Sequence, residues 1–219
     1  MARVGVLGGS FNPIHYGHLL LADEVLETLG LDRLLFVPAA SPPHKAAIQL
    51  APAADRFEMV RLAIAGHPRF AVSDLELRRP GPSYTVDTLE ALAAAGDELF
   101  YVVGSETFLD LLTWREPRRI ARLARLVVIP RAGSPFDAES AAAQKVLRDT
   151  GIDGGFVHSA AGGGSAPSRG VLIVHATSLP LSASELRRRV REGRSVAFRM
   201  PPAAIEYVRA HGLYRAETV

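Results

Sequence analysis

The 219-residue sequence contains no cysteine, and no apolar run in it approaches the length of a membrane span. The absence of cysteine excludes disulfides, thiolate catalysis and zinc sites with cysteine ligands, and it is typical of a reducing compartment. The formal net charge of +2 is too small to indicate a nucleic-acid partner. No charged segment with a long apolar core precedes the first apolar run, so a secretory leader is not indicated. We therefore expect a cytoplasmic protein that binds neither nucleic acid nor membranes.

Short runs of β-forming residues alternate with segments of helical periodicity along the chain. The predicted strands are Val4–Leu7, Leu34–Val37, Phe70–Val72, Leu99–Val103, Leu126–Ile129 and Val171–His175. Such alternation is typical of a parallel sheet with helices on both faces. Because 219 residues suffice for one well-buried core and are few for two, we predict a single α/β domain over residues 1–219, built on a Rossmann-like doubly wound sheet.

Turn and capping residues bound the predicted helices, which are Leu19–Leu29, Arg56–Ala65, Val86–Ala95, Ala183–Glu192 and Pro202–Ala210. The spacing of Asp55 and Glu58 is that of a capping box, as is the spacing of Ser182 and Glu185, so Asp55 and Ser182 are predicted N-caps. Residues 181–219 form a small helical C-terminal part in this interpretation. Residues 160–170 contain four glycines with serine and proline, which predicts a flexible surface insertion.

The segment Gly8–His18, GGSFNPIHYGH, follows the first predicted strand directly and carries two histidines. Glycines at the end of a buried strand let the backbone approach a ligand, and the free N–H groups of the following helix attract phosphate. His15 and His18 are three residues apart, so both imidazoles lie on one face if the helix has begun by Ile14. The glycine spacing matches neither the dinucleotide fingerprint nor the P-loop. These residues predict a phosphate site; the alternative is a tight strand-to-helix turn with two packing histidines.

The combination of a strand, a Gly/Ser turn and H-x-G-H resembles the signature of the nucleotidyltransferase superfamily. Within it, G-G-S-F-N-P-I-H-x-G-H is similar to the corresponding segment of bacterial nicotinate-nucleotide adenylyltransferases. Members of the superfamily join the α-phosphate of a nucleoside triphosphate to an acceptor phosphate and expel pyrophosphate. The resemblance implies an acceptor site that includes Ser10 and Asn12. It also implies an ATP site that includes Gly8, Gly9, Ser10, Phe11, His15 and His18.

The sequence Pro42-Pro43-His44-Lys45 follows the second predicted strand, at the carboxyl edge where open α/β sheets bind ligands. A lysine at that edge is a natural phosphate contact, and the prolines limit the entropy that the loop loses on ordering. From the residues alone, a solvated turn is the alternative. The match to the P-P-H-K element of the family implies that His44 and Lys45 bind the triphosphate.

The segment Pro82–Leu89, PSYTVDTL, opens a predicted helix whose free N–H groups suit a carboxylate or a phosphate. From the residues alone, an ordinary helix cap is favoured. The segment resembles S-Y-T-x-x-T-L of the family, in which the amides at the positions of Tyr84 and Thr85 hold the nicotinate carboxylate.

A lone tryptophan is more often a core residue, but the resemblance implies that Trp114 stacks on the pyridine ring. Glu106 stands where the family usually has aspartate, and it is assigned to the acceptor site with its contact left open.

The segment Leu181–Arg187 resembles I-S-S-T-x-I-R of the family and begins a predicted helix. Hydroxyls at a helix start, with an arginine one turn further on, suit the β- and γ-phosphates. Ala183 replaces the second serine of the family, so one donor is missing. The resemblance assigns Ser182, Ser184 and Arg187 to ATP; the alternative is a capping box on a basic helix.

The resemblance implies transfer of AMP from ATP to nicotinate mononucleotide, which gives deamido-NAD and pyrophosphate in NAD biosynthesis. This reaction needs alignment and charge stabilisation, because the acceptor phosphate is already a dianion near neutral pH and requires no base. His15 and His18 are predicted to donate hydrogen bonds to the phosphates, and Lys45 and Arg187 to neutralise the departing pyrophosphate. Mg²⁺ is expected as a cofactor that arrives with ATP, bound through phosphate oxygens and water, and no metal site on the protein is predicted.

Two alternatives stay open at the level of sequence. The acceptor could be nicotinamide mononucleotide or another phosphate. The chain could instead be a non-catalytic nucleotide-sensing module, which the departures at Glu106 and Ala183 favour. The expected partners are ATP and nicotinate mononucleotide, and the sequence leaves open whether the chain forms a homo-oligomer.

Overall fold

A computed structural model of the chain describes residues 1–43, 50–131, 136–159 and 169–215. Within these residues, seven strands form one sheet: β1 (Arg3–Gly9), β2 (Arg33–Pro38), β3 (Phe70–Val72), β4 (Glu98–Gly104), β5 (Arg125–Ile129), β6 (Phe156–Ser159) and β7 (Val171–Val174). They are ordered β3-β2-β1-β4-β5-β7-β6, and every pair of neighbours runs parallel. The predicted Rossmann-like α/β architecture is confirmed.

The helices of the described residues are α1 (Tyr16–Thr28), α2 (Ala53–Ile64), α3 (Leu75–Arg78), α4 (Thr85–Ala93), α5 (Ser105–Leu109), α6 (Pro117–Leu123), α7 (Ala141–Thr150), α8 (Ala183–Arg191) and α9 (Pro202–Ala210), with a 3-10 helix at Leu111–Thr113. Successive side chains of a strand point to opposite faces of the sheet. In β1, Leu7 packs in the layer that contains α1, α2, α8 and α9, whereas Val4 and Val6 pack in the layer of α4 to α7. The two hydrophobic clusters therefore lie on opposite faces of the sheet.

The six strands predicted from the sequence are all present, and their ends lie within two residues of the predicted limits. The sequence interpretation misses β6, a four-residue edge strand with only intermediate or exposed side chains, which pairs with β7. Four helices, α3, α5, α6 and α7, have no counterpart among the predicted ones. For α7 the boundaries are clear in the sequence, because Ser140 caps that helix and Gly151 ends it in a left-handed conformation with a φ of 73°. Those two residues are standard boundary signals, so α7 was within reach of sequence reasoning.

One predicted cap is confirmed and the other is wrong. The Ser182 Oγ accepts the Glu185 N–H at 3.3 Å and caps α8. Asp55 is not a cap, because α2 begins at Ala53 with Pro52 in the N-cap position. The Asp55 carboxylate instead accepts the Tyr207 hydroxyl at 2.8 Å, which ties α9 to α2. Of the predicted flexible insertion, residues 160–168 lie outside the described residues.

The chain changes direction across the sheet between β1 and β4, since β2 and β3 lie on one side of β1 and β4 begins the other half. Open α/β sheets bind ligands in the crevice outside the carboxyl ends of the strands at such a point. The strands that border this crevice end in glycine, at Gly9 and Gly104. At Gly8, a Cβ would lie 3.3 Å from the Tyr101 hydroxyl, so glycine at this position lets the Tyr101 side chain lie close to the end of β1.

Candidate active site

Two adjoining clefts lie at the carboxyl ends of β1 and β4. The first has a volume of about 460 Å³ and is lined by His15, His18 and Ser182 among others; we call it the histidine cleft. The second has a volume of about 690 Å³ and is lined by Tyr84 and Trp114 among others; we call it the aromatic cleft. The two clefts share residues of the turns after β1 and β4, namely Gly9, Ser10, Gly104 and Thr107. These turns form a common border across which two bound molecules would meet.

The two histidines of the sequence motif are brought together at the start of α1, which begins at Tyr16 with His15 as its N-cap. Their rings are stacked with centroids 3.7 Å apart. The His18 Nδ1 accepts the backbone N–H of His15 at 3.3 Å, so a neutral His18 ring carries its proton on Nε2 and can donate from that atom. A Cβ on Gly17 would lie 3.1 Å from the His15 ring, so glycine at this position leaves room for the imidazole.

His15 makes the stability of the protein depend on pH. The His15 residue is only 6% exposed, and burial lowers the pKa of its imidazole from 6.5 to about 4. Between these values the unfolded chain takes up a proton that the folded protein does not, so stability falls as the pH drops. We expect His15 to reduce the free energy of unfolding by up to about 3 kcal/mol from pH 6.5 to pH 4.

Urea unfolding of the parent and of His15→Asn across this pH range measures the effect, since asparagine is a good N-cap residue that does not titrate. The stability difference between the two proteins should change steadily from pH 6.5 to pH 4 and level off at either end. A difference that stays constant over the range would contradict the assignment.

The turn between β1 and α1 is held by the C-terminal part of the chain. Asn12 is buried, and its Oδ1 accepts the Ala51 N–H at 3.0 Å and the Tyr214 hydroxyl at 2.8 Å. Burial raises the pKa of the Tyr214 hydroxyl, which therefore stays protonated as a donor. Arg187 donates from Nη1 to the Asn12 carbonyl at 2.8 Å. Asn12 and Arg187, both predicted ligand contacts, thus also position the turn that leads to the histidines.

Arg56 is a buried cation that the sequence interpretation overlooks as a site residue. Only 1% of it is exposed. The guanidinium donates hydrogen bonds to backbone carbonyls in the loops that follow β1 and β2: Ser10 at 2.8 Å, Ala39 at 2.6 Å, Ala40 at 3.1 Å and Ala51 at 2.8 Å. It therefore ties the shared border of the clefts to both ends of the loop after β2.

A signal for this role is present in the sequence. Arg56 lies on the same face of α2 as Met59, Val60 and Ile64, and all four residues are buried. Charged residues are almost never fully buried without partners, so an arginine in an apolar helical stripe indicates a buried polar network. The identity of its partners, however, depends on loops that pack against α2 only in the folded protein.

The predicted acceptor residues Tyr84, Thr85 and Trp114 lie together in the aromatic cleft. Tyr84 is the N-cap residue of α4, and Ser83, Tyr84 and Thr85 at the start of that helix line the cleft. Trp114 contacts Tyr101 edge-on, with ring centroids 6.3 Å apart. Burial raises the pKa of Tyr101 to about 12, and its hydroxyl lies 3.4 Å from the Thr85 Oγ1. The cleft thus combines a helix start with an aromatic wall.

A buried network supports the start of α4. Glu76 is 7% exposed, and its Oε1 accepts the Thr88 hydroxyl at 2.7 Å. Arg79 donates to the Thr88 Oγ1 at 3.1 Å and to the Tyr84 carbonyl at 3.4 Å. Glu76 also lines the aromatic cleft, and among the residues that the structure describes its Oε2 has no hydrogen-bond partner. The sequence interpretation overlooks this network, which brings α3 and α4 together.

Phe11, a predicted ATP contact, and Ser184 occupy different environments near the histidine cleft. Phe11 is 3% exposed, and its ring meets His18 edge-on with centroids 5.2 Å apart. It lines the cleft and at the same time packs the histidine in place. Ser184 is exposed, and its Oγ lies 3.2 Å from the Oγ of Ser182.

Glu106 lies in the histidine cleft rather than beside Trp114 in the aromatic cleft. Its carboxylate accepts a hydrogen bond from Arg131 at 3.2 Å, and both side chains are largely exposed. Its assignment to the acceptor stays a prediction. His44 and Lys45 lie outside the described residues, so their predicted phosphate contacts are not addressed by the structure.

No group of three or more histidine, cysteine, aspartate or glutamate side chains that could hold a metal ion occurs in the described ranges. The acidic residues of the two clefts therefore do not form a cage of the kind that holds a protein-bound divalent ion. Of the helices in those ranges, none is long and apolar enough to cross a membrane.

Proteins of one known family match this chain over most of its length. The cytidylyltransferase-like family profile matches residues 6–189. The "Probable nicotinate-nucleotide adenylyltransferase" of Thermus thermophilus is 44% identical over 215 residues, covering 97% of this chain and 100% of the relative. The protein of the same name from Thermomicrobium roseum is 40% identical, covering 98% of this chain and 92% of the relative.

Solved structures show the same fold. The Plasmodium falciparum nicotinic acid mononucleotide adenylyltransferase complexed with NaAD has a TM-score of 0.71 to this chain, with 19% identity and coverage of 98% of both chains. The sequence relatives extend over nearly the full length of both partners at 40% identity or more. This chain therefore belongs to the nicotinate-nucleotide adenylyltransferase family of cytidylyltransferase-like proteins.

Proposed function

We propose that this protein transfers AMP from ATP to nicotinate mononucleotide, forming deamido-NAD and pyrophosphate in NAD biosynthesis. The observation that carries the proposal is the pair of clefts with a common border at Ser10 and Gly104. One cleft has the features of a phosphate site and the other those of a site for an aromatic acid. The names of the sequence relatives, and the NaAD in the Plasmodium falciparum complex, support the same substrate pair.

ATP is assigned to the histidine cleft. Backbone N–H groups at the start of α1 and of α8 carry partial positive charge, and the N-cap residues of these helices, His15 and Ser182, line this cleft. His15, His18 and Ser182 add side-chain donors. Arg187 brings a full positive charge beside Asn12. Lys45 and His44 complete the proposed triphosphate contacts from the loop whose two ends Arg56 holds.

Nicotinate mononucleotide is assigned to the aromatic cleft. Its pyridine ring would stack on Trp114, and its carboxylate would accept hydrogen bonds from the backbone N–H groups at Tyr84 and Thr85. The Tyr84 N–H donates to the Pro82 carbonyl at 3.1 Å in the structure and would exchange that partner for the carboxylate. Its phosphate would then extend toward Ser10 on the common border. This orientation points the attacking phosphate toward the ATP in the neighbouring cleft.

In the proposed reaction an oxygen of the acceptor phosphate forms a bond to the α-phosphorus of ATP. The bond from that phosphorus to the bridging oxygen of the β-phosphate breaks, and pyrophosphate leaves with the electron pair. No proton needs to be removed from the acceptor. His15 is neutral at pH 7 and donates a hydrogen bond rather than a proton, because burial holds its pKa at about 4. The protein contributes alignment and fixed donors at the oxygens where charge develops.

Mg²⁺ is proposed as part of the ATP substrate, since the described residues contain no acidic cluster that would hold it independently. When bound, it would neutralise charge on the phosphate oxygens. Location in the cytoplasm stays a prediction from the sequence.

A pyrophosphate-release assay with ATP and either nicotinate or nicotinamide mononucleotide tests the proposal. We expect release with both substrates present, deamido-NAD as the product, and a higher kcat/KM for the acid. A higher kcat/KM for the amide would instead assign the amide as acceptor. Binding of ATP and acceptor without any pyrophosphate release would identify a nucleotide-sensing module and overturn the proposal.

A further inference from the structure

The charged side chains that line the aromatic cleft are unevenly balanced. Two carboxylates, Glu76 and Asp110, line it. Among the described residues on the walls of this cleft, Arg115 is the single cation. Its guanidinium carbon lies 4.9 Å from the centroid of the Tyr84 ring, at the start of α4. Arg79 is not among the lining residues, and its guanidinium is engaged with the Tyr84 carbonyl and with Thr88, the partner of Glu76. Arg115 is therefore the cation on the described cleft wall that an anionic acceptor can meet directly.

We propose that the Arg115 side chain determines the preference for an acid over an amide acceptor. This inference rests on the proposed function. Nicotinate and nicotinamide mononucleotides share the pyridinium ring, the ribose and the phosphate, and they differ by one negative charge on the ring substituent. An arginine beside the helix start that receives this substituent attracts the acid and is nearly indifferent to the amide.

The position of Arg115 limits the size of the effect and also makes the residue suitable for mutation. Its side chain is 54% exposed, and its nearest acidic partner is Glu116, with Nε and Oε1 3.8 Å apart. An exposed charge is screened by salt, so the discrimination should be moderate and should depend on ionic strength. Within the part of the chain that the structure describes, the guanidinium contacts only the Tyr84 ring and Glu116, neither of which is buried, so substitution should leave the protein folded.

The test compares kcat/KM for the two mononucleotides at saturating ATP in the parent, Arg115→Gln, Arg115→Lys and Arg122→Gln. Arg122 is an exposed arginine of α6 that lines neither cleft, so its variant controls for the change in net charge. We expect Arg115→Gln to lower kcat/KM for the acid about 5-fold and to leave the amide unchanged. Arg115→Lys should keep most of the preference, and Arg122→Gln all of it.

Ionic strength provides a second readout. At about 1 M salt, where the screening length is about 3 Å, the parent and Arg115→Gln should converge in their acid-to-amide ratio. If amide turnover is too slow to follow, its inhibition constant against the acid replaces kcat/KM. Thermal unfolding of each variant confirms that the fold is retained.

Equal losses for both acceptors in Arg115→Gln would show a purely structural or stacking role and overturn this inference alone. An unchanged acid-to-amide ratio would overturn it as well. A folded parent that converts neither mononucleotide would overturn the proposed function and this inference with it, so the two failures are distinguishable.

Discussion

His18→Ala should lower the rate of pyrophosphate release by about 10²- to 10³-fold while the protein stays folded. His18 lines the histidine cleft, and its Nδ1 accepts the His15 backbone N–H, so a neutral ring carries its proton on Nε2. The proposed function assigns this Nε2–H to the α-phosphate oxygens. A donor that meets charge developing in the transition state affects kcat more than substrate binding. Steady-state kinetics at saturating ATP and acceptor measure the loss.

Two variants separate this catalytic role from a packing role. His211→Ala removes an exposed histidine at the end of α9, outside both clefts, and should leave kcat unchanged. His18→Gln retains a side-chain N–H and should recover part of the rate. Loss of the His15–His18 hydrogen bond costs about 1 kcal/mol of stability, which urea unfolding would detect without loss of the fold. A folded His18→Ala protein with a kcat near the parent value would remove the central claim of the proposed mechanism.

Arg56→Met should reduce the free energy of unfolding by about 4 kcal/mol. The substitution removes the donors of four carbonyl oxygens, of which three belong to the loop around His44 and Lys45 and one to Ser10. These acceptors are partly buried, so losing their donors leaves them with incomplete hydrogen bonding, and methionine replaces only the volume of the side chain. Urea unfolding at pH 7 measures the change.

The same variant should also lose activity, because Ser10 lies on the border between the clefts and the loop after β2 loses its hydrogen bonds to the guanidinium at both ends. We expect kcat/KM for ATP to fall by about 10²-fold in the fraction that remains folded. Arg61→Met is the matched control on α2, since Arg61 pairs with Glu58 at the protein surface, and its variant should behave as the parent does. Equal stability of the Arg56 and Arg61 variants would refute the structural part. A destabilised Arg56 variant with the kcat/KM of the parent would refute the positioning part.

The alternation of apolar runs and helical periodicity predicts all the strands that build the crevice, because each buried strand and each amphipathic helix leaves a local pattern. The edge strand β6 escapes prediction for the same reason: its short run carries little buried apolar surface. At Asp55 the capping-box spacing is present but the cap is absent, since α2 begins two residues earlier and the carboxylate binds Tyr207 of a distant helix. Local spacing describes what a residue can do, and tertiary contacts decide which option is realised.

The sequence by itself determined the family and the order of the predicted ligand-binding segments, because each of the H-x-G-H, P-P-H-K, S-Y-T and S-x-S-E-L-R elements is contiguous in the chain. Only the tertiary structure decided which residues share a cleft. It placed Glu106 with the histidines, and Arg115 and Glu76 with Trp114. It also brought Arg56 within hydrogen-bond distance of the loops after β1 and β2. These neighbours lie far apart along the chain, and they meet because a parallel sheet brings the carboxyl ends of its strands to one edge, a geometry that no single segment encodes.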